Sequence, residues 1–142
     1  MSISKKVEVN KVSDVESLKT VHAIRYEVFV EGQNCPAELE RANEEESIHF
    51  LAKVDGVPAG ACRWRKTDNG YKLERFAVLN TFRGMGVGQQ MVKTVLNDLP
   101  KDAEYVYLNS QIDAATLYEK FGFVKEGLEF TEAGIRHYKM VK

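Results

Sequence analysis

The feature that most constrains this sequence is a change of period across three glycines. The stretch "RFAVLNTFRGMGVGQQMV", Arg75 to Val92, enters as an apolar, strand-like run and leaves as a helical one. Gly84, Gly86 and Gly88 sit at the junction. A glycine weakens a helix by roughly 1 kcal/mol relative to alanine. Three of them at a helix start mark a backbone that must come close to something else. Downstream, Val87, Met91, Val92, Val95, Leu96 and Leu99 share one helical face, and Pro100 stops the helix. Strand, glycine turn and helix is the order in which helix-terminal N–H groups usually meet an anion.

The flanking chain supplies the other elements. "KKVEVNKV" alternates as a short strand, and Ser13 with Glu16 forms the S-x-x-E pattern of a capping box. The helix it opens carries Val15, Leu18, Val21, Val28 and Phe29 as its apolar stripe and ends near Gly32. "GQNCPAELERANEEE" is polar and irregular. Three antiparallel strands follow at about 47–54, 57–67 and 71–79, with turns at Asp55-Gly56 and Asp68-Asn69-Gly70. Past the glycine loop and its helix come a strand in "AEYVYLNS" and a short helix, "AATLYEKF", with Asp113 as its N-cap and Gly122 beyond its end. Strands near "FGFVKEG" and "RHYKMVK" finish the chain. The order β-α-β-β-β-α-β-α-β-β predicts an α/β protein, a mixed sheet with helices on both faces.

Residues 1–142 read as one domain, with a formal net charge of -1. No positive field is available to attract nucleic acid or an anionic membrane, which argues against both as partners. The N-terminus has no apolar leader segment and no run reaches membrane-spanning length, so a cytoplasmic protein is expected. Cys35 and Cys62 are too few for a disulfide framework. His22, His49 and His137 are too scattered to suggest a metal site.

The glycine loop fits some anion binders better than others. A Walker loop needs G-x-x-x-x-G-K-[ST], and no Lys-Ser/Thr pair is present. A dinucleotide fingerprint needs a third glycine where this chain has Gln89. The pattern R-x-x-G-x-G is met by Arg83, Gly86 and Gly88, and it resembles the pyrophosphate-binding loop of the GNAT superfamily of N-acetyltransferases. "LYEKFGF", Leu117 to Phe123, resembles the L-Y-x-K-x-G-F segment of the same superfamily. Three further segments are similar to the small bacterial ElaA-like subfamily: "RYEVFVEGQNCP", "SQIDAATLYEKFGF" and "EAGIRHYKM". The chain departs from that subfamily at Glu31-Gly32-Gln33, in "ELERANEEE", and at Glu74, which stands where a glycine is usual. These departures fall where an acceptor would sit.

The resemblance implies the GNAT fold, acetyl-CoA as co-substrate and acetyl transfer to a primary amine of a small molecule or peptide by direct attack in a ternary complex. It implies that the cofactor is held by the strand end Phe76, Ala77 and Val78, by the loop Arg83, Gly84, Met85, Gly86, Val87 and Gly88, and by Gln111. It also implies that Tyr118 protonates the leaving thiolate. For the base, Lys72 occupies the position where some members carry glutamate. Glu74 lies on the same strand face and is the catalytic candidate, with Glu31, His137 or a water chain as alternatives. The acidic stretch "ELERANEEE" is either a solvated loop or a border favouring a cationic amine. Arg25, Arg63 and Arg65 oppose it and could instead meet a carboxylate or phosphate. A homodimer is compatible with the resemblance. The alternative function is a catalytically silent acyl-CoA-binding or sensing module.

Overall fold

The structure, a computed structural model, describes residues 6–142; Lys5, the first residue of the predicted first strand, lies outside them. Seven strands form one sheet: β1 (Val7–Val12), β2 (Ser47–Val54), β3 (Val57–Lys66), β4 (Tyr71–Val78), β5 (Val106–Gln111), β6 (Val124–Glu132) and β7 (Ile135–Val141). Their order across the sheet is β1-β2-β3-β4-β5-β7-β6. The helices are α1 (Val15–Arg25), α2 (Ala37–Glu40), α3 (Val87–Asp98) and α4 (Ala115–Glu119). None of the helices among the described residues is long and apolar enough to cross a membrane.

Helices cover both faces, as the element order predicts. On one face α3 buries Val87, Met91, Val92 and Val95 against Phe50, Leu73, Leu108 and Met140, and α4 adds Ala115 and Tyr118. Each such side chain contributes about 1.5–3 kcal/mol of burial. On the other face Val21 and Ile24 of α1 pack on Leu51, Ala61 and Ala77. The helix α3 lies close to the sheet because β3 has Gly60 beneath it. A Cβ there would stand 2.8 Å from the Ala77 carbonyl oxygen and 3.1 Å from Val87 Cγ1.

Local details differ from the sequence reading. The N-cap of α1 is Asp14, whose carboxylate accepts from the Ser17 N–H at 2.9 Å, so the Ser13–Glu16 box is displaced by one residue. Asp's short carboxylate reaches the third N–H of the turn as well as a serine would. Val15, placed on the apolar stripe, is exposed. The chain continues from α1 as a π-helical turn, Tyr26–Glu31, which reaches Gly32 where the helix was expected to end. Asp113 caps nothing, because it lies inside a 3-10 turn, Ile112–Ala114, and Ala114 precedes α4 without a side-chain cap.

The junction between β4 and β5 governs the site. It is the parallel pair of the sheet, and its register covers only Tyr71↔Val106, Lys72↔Tyr107 and Leu73↔Leu108. Beyond Leu73 the two strands diverge. The cause lies in β4, where Ala61↔Ala77 gives way to Arg63↔Glu74, an extra residue on one strand. Arg75 takes up that bulge with φ +60°. A bulge bends its strand and increases its twist, turning residues 74–78 away from β5.

Candidate active site

The opening between β4 and β5 is a cleft of about 730 Å³. It is lined by Glu74, Phe76 and Val78 of β4, Asn109 and Gln111 of β5, Tyr118 of α4, His137 of β7 and Arg83 of the glycine loop. The β5-facing backbone edge of residues 74–78 has no strand partner, which leaves N–H and C=O groups there for a ligand, apart from the Val78 carbonyl that Arg83 takes up.

At one end the chain turns through the glycines. Gly84 and Gly86 both adopt φ +80°, a left-handed conformation costly for any residue with a Cβ. Gly84, a free position in the sequence pattern, is thus as constrained as Gly86. A Cβ on either would meet no protein atom within 4 Å. The space beside these glycines is open, and they leave it so. Gly86 is the N-cap of α3 and brings no side chain to the first N–H groups of that helix. Those groups are unpaired and carry the positive end of the helix dipole. Gly88 instead serves packing, since its Cβ would lie 3.2 Å from Leu117 Cδ2. The Arg83 side chain folds back so that Nε donates to the Val78 carbonyl at 3.2 Å, joining the loop to the end of β4.

At the middle of the cleft Tyr118 packs edge-on against Phe76 and Phe123. Burial pushes its phenol well above the ordinary tyrosine range, and nearby Cys62 adds to this. The hydroxyl therefore keeps its proton throughout the physiological range.

The α1 side of the cleft is built from charges. Arg25 and Arg63 are completely buried. Arg25 meets Glu40 at 2.6 Å and Glu44 at 2.5 Å, and Arg63 meets Glu44 at 2.7 Å and Glu74 at 2.8 Å. Glu74 also accepts from Arg65 Nε at 2.6 Å and faces Lys72 Nζ at 3.2 Å. Burial alone would raise the Glu74 carboxyl; the charges of Arg63, Lys72 and Arg65 outweigh it and hold it at about 2. Glu44 is likewise lowered despite burial, chiefly by Arg25. The acidic loop is accordingly neither wholly solvated nor turned to the cleft as negative charge: Glu40 and Glu44 are taken up internally. Arg25 and Arg63 are sealed from any ligand, while Arg65 lines the cleft.

Opposite stands His137, also buried and also lining the cleft. Its Nδ1 lies 2.7 Å from the Ile135 carbonyl oxygen. A carbonyl only accepts, so Nδ1 donates, and in the neutral ring Nε2 is the nitrogen that carries the lone pair. Glu132 lies 3.8 Å from Nε2, and the Phe130 ring stacks on the imidazole. Gln111 pairs with Gln33 across the cleft. Glu31 is exposed and lies apart from the cleft lining.

Two features escaped the sequence reading. The bulge at Arg75 had no signal, because no glycine marks it. The Glu132–His137 pairing was visible only as spacing within "EAGIRHYKM", whose hairpin turn brings the two together.

The description "Acetyltransferase (GNAT) domain" fits this architecture, and the model of that family matches residues 9–142. The chain belongs to the GNAT acetyltransferase family. It is therefore an acyltransferase, and the fold is one that binds coenzyme A. This GNAT chain is 42% identical over 131 residues to the uncharacterized N-acetyltransferase YjcF of Bacillus subtilis (strain 168), covering 89% of the chain and 93% of the relative. Among solved structures it is similar to Escherichia coli ElaA, with 25% identity, a TM-score of 0.81 and coverage of 96% of this chain and 99% of that one. An acyl-CoA N-acyltransferase from Pseudomonas aeruginosa gives 25% identity and a TM-score of 0.82, over 98% and 99% of the two chains. A Bacillus subtilis acetyltransferase solved in complex with CoA shares the fold at a TM-score of 0.72 and 17% identity, over 96% and 95%.

Proposed function

We propose that this GNAT chain transfers an acetyl group from acetyl-CoA to a primary amine of a small molecule or peptide, by direct attack with both substrates bound. One observation carries the reading: a single cleft brings together an unpaired β4 edge and a protonated phenol, and Arg83 on its lining leads into a glycine-capped helix N-terminus. Acetyl-CoA, when bound, supplies the acyl group already activated as a thioester.

The chain's own residues supply the rest. The N–H groups from Gly84 through Gly88 receive the pyrophosphate, the Arg83 N–H being held by the Asn80 carbonyl, and the open space at Gly84 and Gly86 allows close approach. The backbone of Phe76, Ala77 and Val78 pairs with the pantetheine arm as an added strand would, and an N–H on this edge polarises the carbonyl. Gln111, tied to Gln33, bounds the arm on the β5 side. Tyr118 donates its proton to the leaving sulfur.

We assign the amine's proton to His137 Nε2, whose lone pair is fixed by the Nδ1 donor bond to Ile135. Glu74 is the weaker candidate for that role. A carboxylate held at about 2 and shared among three cations has little tendency to take a proton. Its place is the structural anchor of the cationic wall.

Thiol release and acetylated product, measured across amines, aminosugars, polyamines and peptides with acetyl-CoA, test the reading. Transfer to at least one amine is expected. Calorimetric binding of acetyl-CoA without transfer to any of them would replace it with a silent acyl-CoA-binding module.

A further inference from the structure

The α1-facing wall of the cleft holds more positive charge than the protein neutralises. Arg65 of β3 and Lys72 of β4 are direct cross-strand partners. Like charges in that relation repel and weaken the pair. Only Glu74 lies between them, and its Oε1 is already shared by Arg63 and Arg65. Across the connected network five cationic groups, Arg25, Arg63, Arg65, Lys72 and Arg75, face three carboxylates, Glu40, Glu44 and Glu74.

The excess is displayed where a ligand can reach it. Arg25 and Arg63 have fully buried side chains, whereas those of Arg65 and Lys72 are 17% and 16% exposed and line the cleft. Arg65 uses Nε for Glu74; its two Nη groups make no protein hydrogen bond among the described residues. Arg75 is tied down, with Nη2 donating to the Leu39 carbonyl at 2.8 Å. On the far wall the charge has the opposite sign, since Glu132 sits at the rim beside His137. The cleft is therefore bipolar: cations on β3 and β4, an imidazole and a carboxylate on the β6–β7 hairpin.

We infer that the acceptor is an amino acid or a similar small amino-carboxylate, its carboxylate received by Arg65 Nη and Lys72 Nζ and its amine directed to His137 and Glu132. This deepens the acetyl-transfer reading and rests on it for the amine end. Arginine's planar fork suits a carboxylate, and a ligand of this kind offsets the Arg65–Lys72 repulsion while matching both ends of the cleft. The wall disfavours an acceptor that brings only positive charge, such as a polyamine.

The test uses the full chain saturated with CoA. The twenty amino acids and their α-carboxamides, which keep the amine and the shape but lose the charge, are titrated by calorimetry, together with O-phosphoethanolamine. At least one amino acid is expected to bind tenfold or more tightly than its carboxamide, by a margin that shrinks with added salt. Lys72→Met and Arg65→Gln should each bring that ratio close to one, with the melting temperature in CoA reporting an intact fold. Equal or tighter binding of the carboxamides, a preference for the phosphate compound, or no amino acid binding at millimolar concentration would overturn the inference. Thiol release is read in parallel, on the same protein preparations with acetyl-CoA in place of CoA. Amino-acid binding of the expected kind without release removes acetyl transfer and leaves the carboxylate site standing; release from carboxamides in preference to amino acids removes the carboxylate site and leaves transfer.

Discussion

Gln33 and Gln111, 78 positions apart, exchange two amide hydrogen bonds: Gln33 Nε2 donates to Gln111 Oε1 at 3.2 Å, and Gln111 Nε2 donates back at 2.9 Å. The pair joins the loop after the π-helical turn to the end of β5, and both residues line the cleft. Half-buried neutral bonds of this kind are worth about 1 kcal/mol each. Gln33→Ala removes both and should therefore lower the melting temperature by roughly 4–8 °C in the free protein. Recovery of that loss on adding CoA, followed by thermal melting, would show that the ligand takes over the bracing. An unchanged melting temperature would mean that water replaces the pair without cost.

Tyr118→Phe removes one oxygen and keeps the ring against Phe76 and Phe123. Loss of a general acid costs about 10²–10⁴ in rate. Turnover should fall within that range while the CoA dissociation constant moves less than about threefold. Turnover within a few-fold of the parent would end the acid assignment.

Gly86 separates strain from obstruction. Gly86→Ala must adopt φ +80°, yet its methyl touches no protein atom, so a modest loss of about 1–2 kcal/mol in stability is expected. Gly86→Asp adds a negative charge to the site assigned to pyrophosphate, and CoA affinity should drop by roughly 50-fold or more. Calorimetry on both variants decides the matter: similar affinity losses would show that strain alone is at work.

The carboxyl of Glu74 makes acid stability measurable. Its folded value, about 2, lies below its ordinary value of 4.5. Its contribution is thus full above pH 4.5 and is lost as the pH falls toward 2. The amount is on the order of 3 kcal/mol. Urea unfolding between pH 6 and about 2.5 should show this decline in the parent and a shallower one in Glu74→Gln, with Glu44 supplying part of what remains.

The strand, glycine turn and helix of the proposed donor half were legible in the sequence, because they depend on local signals. Glycines at positive φ, a helical apolar stripe and a strand before the turn are each written in neighbouring residues. The strand limits at 47–54, and at 71–79 to within one residue, follow from alternation and turn chemistry in the same way. The charged wall proposed to meet the acceptor was not legible, because it is assembled across distance. Arg25 and Glu40 come from α1 and α2, and Arg63 and Glu74 from β3 and β4, so whether a glutamate faces solvent or an arginine depends on how those elements dock. "ELERANEEE" looks uniformly solvated in one dimension, yet Glu40 is buried. The bulge at Arg75 escaped for another reason. Its left-handed φ is held by the surrounding sheet and by Arg75's bonds to Leu39 and Glu40, and local propensity would not choose it.

The three-residue seam between β4 and β5 makes the sheet two leaves sharing a short spine. One leaf, β1 to β4, and the other, β5, β7 and β6, are each antiparallel throughout, with bulges along the way. Past Leu73 and Leu108 the ladder between them lacks its rungs. A pantetheine arm bonded to Phe76–Val78 would supply rungs on the β4 side, making the proposed donor a temporary piece of the sheet. Its departure as free CoA would return the leaves to their spine alone.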